Sequence, residues 1–116
     1  MSLQEITFHT EQIENVYIVS VQGAIDFYTS RQFLETIEEI FKKGPVILDL
    51  DGIHTVSSSG IDTFKLLREM ALDKKRKIII MHMRKAVEHV FSSGGIKYLF
   101  LVAENEDDAM RIATAK

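Results

Sequence analysis

The chain has 116 residues with a formal net charge of −3; 46% of the residues are hydrophobic, 27% are charged and none is a cysteine. This length predicts one domain over residues 1–116, and the composition argues against nucleic-acid binding, disulfides and thiol chemistry. No apolar run is long enough to span a bilayer and no signal-peptide pattern is present, so we expect a cytoplasmic protein with no membrane partner.

The N-terminal segment predicts a hairpin of two strands. Residues 6–9 alternate between apolar and polar side chains. Residues 16–21 are predicted to form the second strand, with Tyr17, Val19 and Val21 on one side and Ile18 and Ser20 on the other. Residues 11–15 are mostly polar and are expected to form the turn between them. The sequence Gly-Ala-Ile-Asp at 23–26 ends the second strand.

A helix follows, and Thr29 or Ser30 is expected to cap its first turn. Its apolar face has helical spacing and consists of Phe33, Leu34, Ile37, Ile40 and Phe41. Gly44 predicts a glycine C-cap, and Pro45, the only proline, prevents the helix from continuing.

The central stretch predicts a buried strand, a turn and a second helix. Residues 46–50 are apolar except for Asp49, which is typical of a strand covered on both faces. Three serines, at 57–59, then precede Gly60. A helix is predicted from about Ser59 to Ala71, with an apolar side formed by Ile61, Phe64, Leu67 and Ala71.

The C-terminal third continues the alternation of strands and helices. A charged turn at 73–76, a strand at 77–83, a short helix at 86–91, a two-sided apolar strand at 98–102 and a final helix at 109–113 are predicted. The whole chain therefore predicts an α/β domain of order β-β-α-β-α-β-α-β-α. Its central sheet should be mostly parallel, with an antiparallel N-terminal edge strand.

The serines at 57–59 allow two interpretations. Serine is a preferred N-cap because its hydroxyl accepts a hydrogen bond from a free amide of the first turn. The same free amides and the helix dipole also favour an anion at this position. The serines therefore either only cap the helix or also place a hydroxyl where negative charge is tolerated.

Other chemistry has weaker support. The four histidines lack ligand spacing, so no metal site is expected. No Gly-x-Ser-x-Gly elbow is present, which argues against a lipase-like hydrolase. A glycine-rich phosphate loop is also absent, and no cofactor is expected. Asp49-Leu50-Asp51-Gly52 resembles the first motif of Mg²⁺-dependent haloacid-dehalogenase-type phosphohydrolases, with Asp49 as nucleophile and Asp51 as general acid. The alternative is that Asp51-Gly52 forms a turn and that the Asp49 carboxylate is hydrogen-bonded to backbone.

Four patches in order along the chain resemble the STAS domains and, within them, the small anti-sigma factor antagonists. These patches are Gly23–Asp26 with Thr29, Val46–Leu50, Val56–Ile61 and Val90–Ile96. The resemblance covers nearly all of the chain, and it implies a single STAS-like α/β domain without enzymatic activity of its own.

The resemblance also implies a site and a switch. Ser58 matches the serine that a partner kinase phosphorylates in this family, with Ser57 and Ser59 as alternates, and Ser57 stands where the family usually has Asp. The implied partner-binding residues are Asp26, Thr29, Ser57, Ser59, Gly60, Ile61 and Gly95. Gly60, which has no Cβ, is expected to let the partner's backbone approach.

The implied partners are an anti-sigma factor that is a serine kinase of the GHKL type and a metal-dependent serine phosphatase. The unphosphorylated protein would bind the kinase, and phosphorylation at Ser58 would release it. The chain itself is expected to be a monomer or a weak dimer. The alternatives are a STAS subunit of another assembly, such as a stressosome or a lipid-transport complex, without phosphorylation, and the phosphohydrolase based on Asp49 and Asp51.

Overall fold

Five strands form one sheet in the computed structural model, which describes residues 5–115. The strands lie side by side in chain order, with β1 antiparallel to β2 and all other neighbours parallel. The strands are β1 (Ile6–Ile13), β2 (Val16–Ile25), β3 (Val46–Val56), β4 (Ile78–Met81) and β5 (Leu101–Ala103). The helices are α1 (Ser30–Phe41), α2 (Ser58–Lys74), α3 (Lys85–Ser93) and α4 (Glu106–Thr114). The predicted order of elements and the predicted sheet are confirmed.

The helices divide unequally between the two faces of the sheet. Parallel strands that follow one another across a sheet require crossovers of one hand, so the three connecting helices lie on the same face. Helices α1, α2 and α3 pack there on one apolar cluster, which includes Leu48 and Ile80. Helix α4 packs on the opposite face against a smaller cluster, which includes Ile47 and Ile79. Both faces of the central strands are therefore buried, as their apolar runs predict.

Strand β3 is longer than predicted, and the predicted turn at Asp51-Gly52 is wrong. In two places β3 has one residue more than β2: Ser20 to Gln22 lies opposite Asp49 to Gly52, and Gly23 to Ala24 lies opposite Ile53 to Thr55. Each extra residue is a bulge that lets the strand continue while it changes which side chains face the core. The strand therefore reaches Val56 and delivers the serines to the carboxyl edge of the sheet.

Other boundaries also differ from the prediction, including that of β4, which ends at Met81 instead of residue 83. Strand β1 continues to Ile13, so the hairpin turn is only Glu14 and Asn15. Helix α2 continues through Lys74 and is capped by the left-handed Lys75, so the first two residues of the predicted charged turn are helical. The strand predicted at 98–102 begins later and is shorter, because residues 97–99 form a 3₁₀ helix and β5 consists only of Leu101–Ala103.

Gly44 has a different role from the one predicted. Its φ is not positive, so it is not a left-handed C-cap, and α1 ends at Lys42. A Cβ on Gly44 would lie 2.2 Å from the carbonyl oxygen of Asn15, which shows that the glycine allows close packing against the β1–β2 turn. Within residues 5–115, no helix is both long and apolar enough to cross a membrane.

Candidate functional site

The start of α2 lies against the end of β2 at the carboxyl edge of the sheet. The amide of Ser57 donates a hydrogen bond of 3.1 Å to the carbonyl of Ile25. Gly60 is buried at the same place, where a Cβ would lie only 2.3 Å from the Ile25 carbonyl oxygen. The missing side chain therefore accommodates the protein's own β2, and the expectation that Gly60 admits a partner's backbone is wrong.

The three serines have three different environments. Ser57 is the N-cap, and its Oγ accepts a hydrogen bond of 3.2 Å from the amide of Gly60. Ser59 is half-buried, and its carbonyl accepts a hydrogen bond of 2.8 Å from the Thr63 hydroxyl. Ser58 is exposed as the first residue of the helix, and its hydroxyl makes no hydrogen bond to any described residue. The capping interpretation therefore applies to Ser57, while the Ser58 hydroxyl faces solvent.

The amino end of α2 is electrostatically suited to an anion. The helix has 17 residues, and no acidic residue lies in its first turn. The Ser57 hydroxyl accepts a hydrogen bond from the amide of Gly60, and the Ser57 carbonyl accepts one from the amide of Ile61. The amides of Ser58 and Ser59 belong to the first turn, which has no carbonyl partner within the helix. Together with the helix dipole, these amides favour negative charge at this end.

The loop between β2 and α1 is held in one conformation by Asp26 and Thr29. The Asp26 carboxylate accepts hydrogen bonds from the amides of Tyr28 and Thr29, at 2.9 and 3.1 Å. The Thr29 hydroxyl donates to the Ala24 carbonyl at 2.7 Å and accepts from the Asp26 amide at 3.1 Å. Thr29 is only 2% exposed. The expected capping bond from Thr29 is absent, and its side chain is too buried to touch a partner, so it acts by shaping the loop.

This loop presents two aromatic side chains that the sequence analysis missed. Phe27 is 76% exposed and Tyr28 is 80% exposed, and their rings meet edge to face with centroids 5.5 Å apart. Both line an open cleft of about 720 Å³, whose other walls include Ser59 and Arg31. The available signal was the pair of adjacent aromatics in a connection between a strand and a helix, where polar residues are usual.

A short chain of hydroxyl groups connects this cleft to α2. The Ser30 and Thr63 hydroxyl oxygens are 2.5 Å apart, and Thr63 donates to the carbonyl of Ser59. Thr63 is buried, so these bonds form in the packed interface between α1 and α2. The aromatic loop and the serine cluster therefore belong to one rigid surface.

The other side of the α2 start is formed by the end of α3. Ile61 is half-buried, and its Cδ1 would lie 2.7 Å from a Cβ on Gly94. Gly95 follows, exposed and with a φ of 74° that favours glycine. Ile61 and Gly95 therefore flank the serine cluster on the side opposite the aromatic loop. Of the predicted partner-binding residues, only Gly60 and Thr29 are buried.

The pair Asp49 and Asp51 does not form a similar exposed site. The Asp49 carboxylate accepts a hydrogen bond of 3.0 Å from the amide of Asp51 and lies 3.2 Å from Nδ1 of His82. This is the backbone-bonded carboxylate that the alternative interpretation predicts. In the described part of the chain, no group of three or more His, Cys, Asp or Glu side chains is arranged to hold a metal ion.

Several solved structures have a similar fold. An anti-sigma factor antagonist from Mycobacterium paratuberculosis has a similar structure, with a TM-score of 0.81, 21% identity and coverage of 96% of each chain. The anti-sigma factor antagonist SpoIIAA in its unphosphorylated form has a TM-score of 0.73 at 16% identity, over 95% of this chain and 99% of SpoIIAA. A chain of the stressosome, described as a signal integration and transduction hub, has a TM-score of 0.70 at 12% identity, over 90% of this chain and 95% of that one.

These structural similarities show the fold, and the sequence shows the family. A search of the curated proteins found no significant match. The sequence profile of the STAS domain, by contrast, matches residues 7–109, which include all of β1 but its first residue, β2 to β5, α1 to α3 and the whole serine cluster. The chain therefore belongs to the STAS domain family.

Proposed function

We propose that this STAS domain is a non-enzymatic regulator that binds a protein partner around the start of α2 and releases it when Ser58 is phosphorylated. The observation that carries the proposal is the difference between the three serines. The Ser57 hydroxyl is engaged as the cap, Ser59 is half-buried, and the Ser58 hydroxyl is exposed at the first residue of a long helix. A kinase could therefore reach Ser58 without unfolding the helix.

The proposed partner is an anti-sigma factor that is itself a serine kinase of the GHKL type, in the cytoplasm. A metal-dependent serine phosphatase would restore the unmodified form. Two kinds of evidence support this choice: membership of the STAS family and structural similarity to anti-sigma factor antagonists along nearly the whole chain. ATP would bind to the kinase and not to this chain, because this chain contributes only the serine hydroxyl that accepts the phosphoryl group.

Phosphorylation at this position separates folding from binding. A phosphoserine adds a charge of roughly −1.5 to −2, which a helix N-terminus stabilises by about 0.3–1 kcal/mol. Asp62 lies one turn further along the same side of α2 and reduces this gain by repulsion. The two effects are of similar size, so the free energy of unfolding should change little.

Binding responds differently, because the surroundings of Ser58 are partly apolar. Phe27 and Tyr28 are exposed on one side and Ile61 is half-exposed on the other. Closing a partner over these side chains removes water from the phosphate, which costs several kcal/mol unless cations meet it. A loss of about 2.8 kcal/mol would already weaken binding about a hundredfold.

The test begins with capture of the partner from a lysate of the native host, followed by mapping of phosphorylated residues. Binding of the captured kinase is then measured for the wild type, Ser58→Asp and Ser58→Ala by surface plasmon resonance. Gln12→Glu is a matched control, because it adds the same charge at an exposed residue at the opposite end of the sheet. We expect Ser58→Asp to weaken binding at least about tenfold, and Ser58→Ala and Gln12→Glu to bind like the wild type. Equal affinity of Ser58→Asp and wild type would contradict the proposal.

A second candidate function is a STAS subunit of a larger assembly, stressosome-like or part of a lipid-transport complex, that binds without phosphorylation. The similarity to a stressosome chain supports it, and so does Ser57, which occupies the position where the family usually has Asp. This candidate predicts an unmodified Ser58 in the native host and co-purification with large complexes. The same capture and phosphosite mapping distinguishes it from the switch.

A further inference from the structure

The proposed function does not involve the free edge of β5. We propose that a second copy of this chain docks on this edge, antiparallel to it across a two-fold axis, in a weak dimer. This proposal does not depend on the function proposed above. It concerns the isolated chain, and it concerns the edge of the sheet opposite β1 instead of the start of α2.

The edge of β5 lacks the features that usually protect an edge strand. Natural sheets protect their edges with charged side chains, proline or a covering element, because unpaired backbone groups attract another strand. Strand β5 contains only Leu101, Val102 and Ala103, and the first two are 49% and 45% exposed. The other edge strand, β1, instead carries polar and charged side chains at its exposed positions, such as His9 and Glu11.

The apolar surface extends beyond the strand itself. Tyr98 is 94% exposed in the short helix before β5, and Leu72 is exposed at the end of α2. These two side chains and Leu101 line a groove of about 320 Å³ beside the edge. Exposed large apolar side chains that are contiguous in this way mark an interaction surface more often than scattered ones do.

The distribution of charge along this edge favours a second copy as the occupant. Two basic side chains lie near the start of β5: Arg68, whose Nε donates a hydrogen bond of 3.1 Å to the Leu99 carbonyl, and the exposed Lys97. Arg76 and Lys77 also line the groove, but their charged groups donate to carbonyls of the α1 end and the α4 end. Acidic side chains follow its end; they are Glu104, Glu106, Asp107 and Asp108. Only Asp108 is paired with a cation among the described residues, namely Arg111.

A two-fold axis through Val102 makes these two ends complementary. When two identical strands pair antiparallel, the start of each lies beside the end of the other, and each contact occurs twice. The basic end of one copy therefore meets the acidic end of its partner on both sides of the axis. A parallel arrangement would place like charges together, so the charge pattern also selects the orientation.

The size of the edge limits the strength of the dimer. A stable interface usually buries about 800 Å² on each partner, and a three-residue strand with a few flanking side chains provides less. The dimer should therefore dissociate at micromolar concentrations and weaken as salt screens the charge pairs.

Sedimentation equilibrium of the purified chain, from about 10 μM to about 1 mM, tests the proposal. We expect a monomer–dimer equilibrium that shifts toward the monomer at high salt. Leu101→Lys should weaken dimerisation at least about tenfold. Leu66→Lys is the matched control, because Leu66 is equally exposed at 52% on α2 and lies outside the groove. It should leave the equilibrium unchanged.

Charge exchange provides a second variant that does not depend on the fold tolerating a lysine in β5. Lys97→Glu should weaken the dimer, and adding Glu104→Lys in the same chain should restore it. Zero-length cross-linking of a mixture of isotopically light and heavy protein should join Lys97 of one copy to the acidic end of the other. A monomer at every concentration would overturn the proposal, and so would a dimer that Leu101→Lys and Leu66→Lys weaken equally or not at all.

Discussion

Gly60→Ala tests the contact that holds the site in place. A Cβ at Gly60 would lie 2.3 Å from the Ile25 carbonyl oxygen and 2.8 Å from Cγ1 of Val56. The carbonyl belongs to the backbone of β2, which is paired there with β3, so it cannot rotate away as a flexible side chain could. The start of α2 would have to move outward, and the hydrogen bond from the Ser57 amide to Ile25 would lengthen.

The magnitude follows from two opposed effects. Overpacking of this kind costs about 1–3 kcal/mol, and contact with backbone favours the upper end of that range. Alanine in place of glycine in a helix recovers about 1 kcal/mol of intrinsic propensity. We therefore expect Gly60→Ala to lower the free energy of unfolding by about 2 kcal/mol.

Urea unfolding followed by circular dichroism measures this difference, with the m value as a check that the unfolded state is unchanged. Ser58→Ala is the matched control, because it changes an exposed residue in the same turn and should alter the free energy of unfolding by less than about 0.5 kcal/mol. A Gly60→Ala protein as stable as the wild type would show that the start of α2 is not in close contact with β2. The arrangement described for the serine cluster would then be wrong.

Four further substitutions examine the rest of the site. Ser57→Ala removes the cap that accepts from the Gly60 amide, and it should cost about 1 kcal/mol in the free energy of unfolding, measured in urea; a cost no larger than that of Ser58→Ala would contradict the assignment of the cap. Thr29→Val leaves the Ala24 carbonyl without its buried donor and should cost about 1–3 kcal/mol in the same assay, so an unchanged midpoint would refute this role for the hydroxyl. Phe27→Ala and Tyr28→Ala should each weaken binding of the captured partner at least about tenfold while changing the melting temperature little, because both side chains are exposed and lie on a rigid loop. Unaltered affinity in surface plasmon resonance would place the interface elsewhere.

The order of elements could be predicted because it depends on patterns within single segments. Helix α1 shows this clearly: Phe33, Ile37, Ile40 and Phe41 have helical spacing and all four are buried. The start of α2 was predicted to within one residue, because a serine cluster before an apolar helical pattern is a local signal. The orientation of β1 was also predictable, since a short turn can only join antiparallel strands.

Features that depend on contacts between distant segments could not be predicted in this way. Gly60 and Thr29 are both buried against the end of β2. Along the chain, Gly60 is tens of residues from the end of β2, and Thr29 is several residues from it. The apolar run at 98–102 satisfied the pattern of a buried strand, yet β5 is at the edge of the sheet and Tyr98 is exposed. A local pattern cannot distinguish an apolar segment that the chain covers from one left open.

The two bulges of β3 also determine where the serines lie. Leu50, Ile53 and Val56 are three residues apart, so in a regular strand Ile53 would face away from the other two. The extra residues bring all three into the same core cluster. If β3 kept its sequence but lost the first bulge, Ile53 would face the opposite side of the sheet and the phase of the residues after it would shift. Loss of this bulge should therefore displace the serine cluster and weaken the proposed partner binding, although Leu50 and Ile53 are themselves fully buried.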